Sequence, residues 1–466
     1  MDELVIAALM HEGRGLEPVV KYVLVRFAQS FDGTDVGFTA KGVASSFGIS
    51  ESQSVKAMRA LNEAGILLVE AESYGRGRPR HQYKLSHGFV RALHQHQGAE
   101  APLLQVIRFV LRHELGQVRN RVIERIAGAH DLNATGTEIS STNNQLDKLA
   151  RARASRLPGR LTYTNRLLLA VLLCRADRFG VVRNVGSAEL CRLTGLTKAR
   201  LRYRVDRLMK EGLIRAYVPG ATSSMLFKPT KSIYYLNLHH PELAQGGDSA
   251  KIIVLKKFVF GMEDEVNEAG MQWLDARTRP YWDNLFFRKV EQDKGVPVLQ
   301  AKLDHYASLL LSKHRDEFNR IPKETVAEIY QRIIRDFASP STVASLGEDV
   351  FDLPRDHSAM IARLYQLARY KAVTLADSVP NDVECVLLPT PLTRLPELGA
   401  YVYLSTTLLT LPKKGTWGRV SHRVVLTKAD GVTETVNYDH EQDMTLREMY
   451  DFGLLTQGSG IRTSEG

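Results

Sequence analysis

The sequence predicts a mainly helical fold with small β-sheets, an α+β class in which one supersecondary unit occurs twice ahead of a mixed C-terminal region. Three observations predict it. Residues 18–85 and 163–238 read in the same order: helix, helix, helix, strand, strand. Glycines and hydroxyl residues punctuate both segments at matching places, 147 positions apart. Beyond about residue 250, β-prone runs and scattered prolines join the helical spacing.

Length and composition fit that organisation. At about 150 residues per domain, 466 residues suggest roughly three. Hydrophobic residues at 44% and charged residues at 24% are those of a globular chain with buried cores. The borders read as 15–92 for the first unit, 100–160 for a long helix and basic linker, 161–240 for the second unit, 250–345 for a helical region and 346–466 for an α+β domain. The 3 cysteines lie too far apart for a disulfide scaffold or a cysteine-rich zinc site. The start Met1-Asp2-Glu3 with its short apolar run to Met10 does not read as a signal sequence. The longest apolar run, Leu167 to Cys174, is far short of the ~20 residues of a membrane span. The expectation is a cytoplasmic, nucleoid-associated protein with reduced thiols and no membrane.

In the first unit, Val19 to Gln29 is apolar at helical spacing, and Ala40 to Phe47 is a short helix stopped by Gly48. Ser50 caps a third helix that ends at Gly65. Ile66 to Val69 and Gln82 to Leu85 read as strands around Tyr74-Gly75-Arg76-Gly77-Arg78-Pro79-Arg80. The second unit repeats this with Thr164 to Arg178, Ser187 to Leu193, a Thr197-capped helix ending at Gly212, and strands Leu213 to Val218 and Ser232 to Leu238. The two align without a gap: Gly48-Ile49-Ser50 on Gly195-Leu196-Thr197, and Gly65-Ile66-Leu67 on Gly212-Leu213-Ile214.

Between them, Pro102 to Asp131 reads as one long helix. Its stripe Leu104, Ile107, Leu111, Leu115, Val118, Val122, Ile126 suits a core or a dimer seam. A polar linker, Asn133 to Asn144, leads to Lys148, Arg151, Arg153, Arg156 and Arg160. Further on, Phe258 to Phe287 and Val298 to Asp336 read as helical, with Trp273, Trp282, Tyr306 and Phe318 as core. Tyr401 to Leu411 and Arg423 to Tyr438 read as strands, the latter turning at Asp430-Gly431.

Charge adds a functional signal. Residues 1–140 carry a net +1, residues 141–240 a net +14 and residues 241–466 a net −5. One stretch thus holds more than the whole excess of +10, a footprint suited to nucleic acid.

The order helix, helix, Gly-[IL]-[ST], helix, Gly-[IL]-[IL], strand, turn, strand resembles the winged helix-turn-helix family of bacterial regulators, most of all its MarR-type group. The resemblance covers about a third of the chain, and it implies a recognition helix in the major groove with a wing over the adjacent backbone. Helical spacing makes Val55, Met58 and Leu61 the core face of the first recognition helix, leaving Ser52, Gln53, Lys56 and Arg59 outward. In the second, Leu201, Val205 and Leu208 form the core face, with Lys198, Arg200, Arg202, Tyr203, Arg204 and Arg207 around it. Amide and hydroxyl groups suit base edges, and cations suit phosphates and guanine. Because Arg202 matches Val55, the second helix is expected to be rotated slightly, its apolar contact moving to Leu201. The first wing, with Arg76, Arg78 and Arg80, contains Arg-Gly-Arg-Pro and resembles an AT-hook core, which implies arginines in a narrow A–T minor groove.

No enzymatic constellation competes with this. His94-Gln95-His96 has a polar middle residue and no third ligand, so it reads as a solvated loop, and so does His239-His240. Lys413-Lys414-Gly415-Thr416 lacks the upstream glycine of a phosphate-binding loop. The expectation is a sequence-specific double-stranded DNA-binding protein, a transcription regulator working as a homodimer without cofactor or metal. The alternative is a replication initiator of a plasmid or integrated mobile element, since plasmid initiators also carry two winged helices in one chain.

Overall fold

A computed structural model describes residues 2–12, 15–30, 38–72, 80–94, 101–112, 161–223, 227–240, 243, 250–260, 295–315, 323–337, 355–389, 401–413, 421–428 and 430–455. The chain divides into two compact units. One holds residues 1–176, 187–211 and 242–246, and the other residues 177–186, 212–241 and 247–466. The fold is mixed α+β with small sheets. Among the described residues, no helix is long and apolar enough to cross a membrane.

The first unit opens with α1 (Asp2–Met10), α2 (Pro18–Ser30), α3 (Ala40–Phe47) and α4 (Glu51–Glu63). The apolar run at the N-terminus folds as α1, with Leu4, Val5, Ala8 and Leu9 buried. Thr39 caps α3 by accepting from the Gly42 N–H, and Gly48 ends it at φ 67°, a left-handed position where glycine carries no Cβ penalty. Ser50 caps α4, and Gln53 completes a reciprocal capping box. An antiparallel ladder of β1 (Leu67–Glu72) and β2 (Arg80–Leu85) follows, with Leu67 opposite Leu85, and Phe38 bridges to Tyr83 at its side. Phe27, Phe38 and Phe47 pack edge-on or tilted beneath α3.

α5 (His87–His94) and α6 (Leu104–Leu111) continue the unit. Ile107, Val110 and Leu111 are buried, as a core stripe requires. The expected long helix instead stops at Leu111, where Arg112 takes an extended backbone at ψ 143°; residues 113–160, with the linker and the basic run to Arg160, lie outside the described residues. Buried Arg26 donates to the carbonyls of Leu111 at 2.6 Å and Ser46 at 3.1 Å, a cation set against the carbonyl ends of two helices.

α7 (Tyr163–Cys174), α8 (Ser187–Thr194) and α9 (Lys198–Lys210) complete the first unit. α3 and α8 have equal length and lie 147 positions apart, as do α4 and α9, and Gly195 ends α8 at φ 70° as Gly48 ends α3. α2 and α7 pack on each other, with the Tyr22 and Tyr163 rings 5.8 Å apart.

The second unit contains β3 (Val181–Val182), β4 (Ile214–Val218), the hairpin β5 (Ala221–Ser223) with β6 (Phe227–Thr230), and β7 (Ile233–Leu236). β3, β7 and β4 form one sheet in that order. The expected helix to Arg178 stops at Cys174, and Asp177 Oδ1 accepts from the Phe179 and Val181 N–H groups in a turn. The gap-free alignment also ends in the ladder. Ser86 N–H bonds Ile66 O, and Asn237 N–H bonds Leu213 O. Ile66 and Leu213 are 147 positions apart, but Ser86 and Asn237 are 151 apart. The second connection is longer and carries its own hairpin, β5–β6.

A five-stranded sheet, β12-β11-β8-β10-β9, organises the rest: β8 (Lys251–Phe260), β9 (Val383–Leu387), β10 (Tyr401–Pro412), β11 (His422–Thr427) and β12 (Thr433–Tyr438). β8 and β11 run parallel and the other neighbours antiparallel. α10 (Val296–Lys313), α11 (Lys323–Phe337) and α12 (Arg355–Ala376) join Ile253, Cys385, Leu387 and Leu408 in one core. Ile252, Val254, Val386 and Leu409 join Val181, Ala216 and Tyr235 in a second core. Alternate residues of β8 thus serve opposite faces, as the two-residue period of a strand demands.

Residues 258–260 therefore end a strand and do not begin a helix; residues 261–294, with Trp273 and Trp282, lie outside the described residues, as does Phe318. The expected helix over 298–336 is two helices, α10 ending at Lys313 and α11 starting at Lys323; a sequence with a proline at 322 disfavours one unbroken helix. Tyr306 is fully buried. A final short helix, α13 (Leu446–Asp451), is capped by Thr445.

Candidate nucleic-acid interface

α4 and α9 present the residues singled out in the sequence. Each is 13 residues long and each starts from a hydroxyl cap, Ser50 or Thr197. Their buried faces are in one register: Ser54, Ala57, Met58 and Leu61 on α4, and Leu201, Val205 and Leu208 on α9. Ser54 and Leu201 are equivalent positions. Val55 is therefore not core. It is 55% exposed, and the expected rotation of α9 relative to α4 is absent. The Ser54 hydroxyl fills the core position by donating to Ala40 O at 2.7 Å.

The outward faces differ in charge. α4 carries Glu51, Lys56, Arg59 and Glu63, a net of zero. Its two cations are both paired: Lys56 Nζ with Glu17 at 2.7 Å, and Arg59 with Glu63 at 2.8 Å. Such exposed pairs are worth about 0–1 kcal/mol, so they lower the field of the helix without locking its cations. Ser52 Oγ lies 3.0 Å from Ser50 Oγ, and Gln53 Oε1 accepts from the Ser50 N–H at 3.1 Å. Gln53 is thus occupied by the cap.

α9 carries six cations, Lys198, Arg200, Arg202, Arg204, Arg207 and Lys210, against one acid, Asp206, a net of +5. Lys198, Arg200 and Arg202 are exposed and have no ion pair among the described residues. Arg207 pairs with Glu211 at 2.6 Å. Arg204 is half-buried, donates to Thr162 Oγ1 at 3.3 Å and Asn165 Oδ1 at 3.2 Å, and lies over the Tyr203 ring. It braces α9 against the start of α7. Tyr203 is 59% exposed. The first turn of α9 holds no acid but does hold Lys198 and Arg200. Cations there oppose the positive end of the helix dipole, so they do not serve helix stability.

Arg76 and Arg78 lie outside the described residues; Arg80 is the first residue of β2.

One cluster contradicts its sequence reading. His239 is not in a solvated loop. Its Nδ1 lies 3.0 Å from Glu441 Oε2, and its side chain is 10% exposed. Arg215 on β4 donates to both carboxylate oxygens of Glu441, at 2.6 and 2.5 Å, with all three groups in the second unit. Burial alone would raise the Glu441 carboxyl, but Arg215 and His239 together hold it well below the usual carboxylate range. Neighbouring His422 is pushed down to about 4 by burial and then by His239, and its Nδ1 accepts from the Ile252 N–H at 3.3 Å. Sequence spacing could not reveal this network, because Arg215 and Glu441 are 226 positions apart. It ties β4 to the C-terminal segment and exposes no nucleophile. Among the described residues, no group of three His, Cys, Asp or Glu side chains is placed to hold a metal ion.

The chain matches no protein-family model, and no curated protein is similar to it.

Proposed function

We propose that the chain is a sequence-specific double-stranded DNA-binding protein with two winged helix-turn-helix units, whose recognition helices α4 and α9 enter the major groove. One observation carries this reading. α9 holds Lys198, Arg200 and Arg202 exposed and, among the described residues, without an ion pair near its start, where cations oppose the helix dipole unless an anion lies against them. Phosphate oxygens and guanine edges are anions and acceptors of the right geometry for arginine. Transcription regulation is the cellular role that fits best. Two copies in one chain also suit a replication initiator. Footprints on the neighbouring genome separate the two: a palindrome before a promoter supports the first, and an array of repeats at an origin the second.

The direct test is fluorescence anisotropy of the full chain on random-sequence duplexes over a salt series. The expected result is a log–log slope of about −0.9 for each phosphate neutralised. Replacing Lys198, Arg200 and Arg202 by alanine should flatten it. Salt-independent or undetectable binding would overturn the reading.

A further inference from the structure

We propose that Val55 reads a thymine methyl group, and that the base met by α4 at this point differs from the one met by the equivalent Arg202 on α9. The inference rests on the DNA-binding reading and adds the base class read at one position.

At about 100° per residue, Ser52, Val55, Lys56 and Arg59 fall within one arc of about 100° on α4. All four are exposed, while the opposite arc is filled by Ser54, Ala57, Met58 and Leu61. Val55 is thus the one apolar side chain in an outward stripe of a hydroxyl, two cations and, at the end of the helix, Glu63. Val55 takes no part in the buried face of α4. β-branched residues are poorer helix formers than the alanine or lysine an exposed position would otherwise favour, and the core position beside it is already taken by Ser54. A single valine among polar neighbours is also too small a patch to hold a protein partner.

In the major groove, the base edges present donors, acceptors and one apolar group, the 5-methyl of thymine. A branched side chain flanked by Lys56 and Arg59, whose reach suits the adjacent phosphates, matches that group. Arg202 stands 147 positions on and is exposed like Val55. Its guanidinium suits the two acceptors of guanine and would gain nothing from a methyl. The two contacted half-sites therefore differ at one base pair, thymine under α4 and guanine under α9.

The test uses the full chain and duplexes enriched from a random pool by its binding. Each thymine of the enriched site is replaced in turn by deoxyuridine, which lacks only the methyl. One replacement should weaken binding about fourfold, the size expected for one buried methyl. In Val55→Ala the same replacement should change nothing, and thymine and deoxyuridine should bind equally. Val55→Arg should move the preference at that position from thymine toward guanine. Both variants alter an exposed side chain, and an unchanged thermal midpoint verifies the fold. An enriched sequence with every thymine replaceable at no cost overturns this inference alone. A pool that yields no enriched sequence overturns it together with the DNA-binding reading.

Discussion

α4 and α9 share a length, a cap, a core register and a preceding glycine turn, yet one face sums to zero charge and the other to +5. The shared features are those that hold a helix in place, and the differing ones face outward. Cation density of this kind sets affinity without sequence information, whereas uncharged contacts to base edges set discrimination. Under the proposed DNA-binding reading, the comparison assigns the larger share of non-specific strength to α9. The copies differ inside as well. Lys21, fully buried on α2, stands where α7 has fully buried Leu168.

The largest expected effect comes from comparing two left-handed glycines, Gly195 just before α9 and Gly65 just after α4. A Cβ on Gly195 would lie 2.1 Å from Leu16 O, and φ there is 70°. Gly195→Ala must therefore move backbone, and we expect a loss of about 3 kcal/mol or more, beyond the ~1–2 kcal/mol of a left-handed alanine. Gly65→Ala, with φ 69° and open space around it, should cost only that ~1–2 kcal/mol. Urea titrations of both variants decide it. Equal losses would show that residues 16–18 do not press on the Gly195 turn.

Lys21 tests the interior difference. Burial pushes its ammonium down to about 8 from 10.5, against a smaller pull from Glu12, and Nζ donates to His11 O. Between those two values the unfolded chain holds more protons than the folded one, so stability rises with pH across that window. The full span is about 3 kcal/mol. At pH 7 the lysine is charged in both states and the penalty is complete. Lys21→Met should raise stability at pH 7 by about 1–3 kcal/mol, less what the lost hydrogen bond from Lys21 Nζ to His11 O contributes, and should flatten the profile from pH 8 to 10.5. Denaturation midpoints across pH measure both. A profile unchanged by the substitution would mean that Lys21 reaches water.

On the outward face, Arg200→Ala should lower discrimination between an enriched site and its mutated form by about 1–3 kcal/mol, if Arg200 pairs with guanine. Lys56→Ala should weaken all sequences alike and by less, since Lys56 already shares its charge with Glu17. Competition binding with matched and mismatched duplexes separates the two. A uniform loss in Arg200→Ala would place that residue on phosphate.

What was legible in the sequence follows from local chemistry. Thr197, Gly195 and Gly212 mark α9 because caps and left-handed glycines act within a few residues, and the same holds for Ser50, Gly48 and Gly65 around α4. The basic face of α9 was legible as composition. Three things were not. Val55 looked like core because it is apolar, whereas the site belongs to Ser54, whose burial depends on a hydrogen bond to Ala40 O. Ile252-Ile253-Val254 is buried on both faces, so β8 shows no alternation to betray a strand. Lys56 meets Glu17 across 39 positions, and only the fold brings that acid to the outward face.

The smallest expected effect concerns Gln53, and it sharpens the comparison most finely. In sequence, Gln53 matches Arg200, and both seemed suited to a base edge. In the structure Gln53 Oε1 accepts from Ser50 N–H while Ser50 Oγ accepts from Gln53 N–H, so both groups close the capping box. Arg200 holds the same third position behind Thr197 but has no carbonyl oxygen with which to close one. Gln53→Ala should therefore cost about 0.5–1 kcal/mol of stability. Gln53→Glu should keep the box, and at the helix start its charge also meets the positive end of the dipole. Its effect on duplex discrimination should be below that of Arg200→Ala, because an amide reading adenine would first have to leave the cap. Thermal midpoints and competition binding on the same two variants give both readouts. A Gln53→Ala protein of unchanged stability and lost selectivity would mean that the amide abandons the cap for the groove, and that α4 reads with the same position as α9.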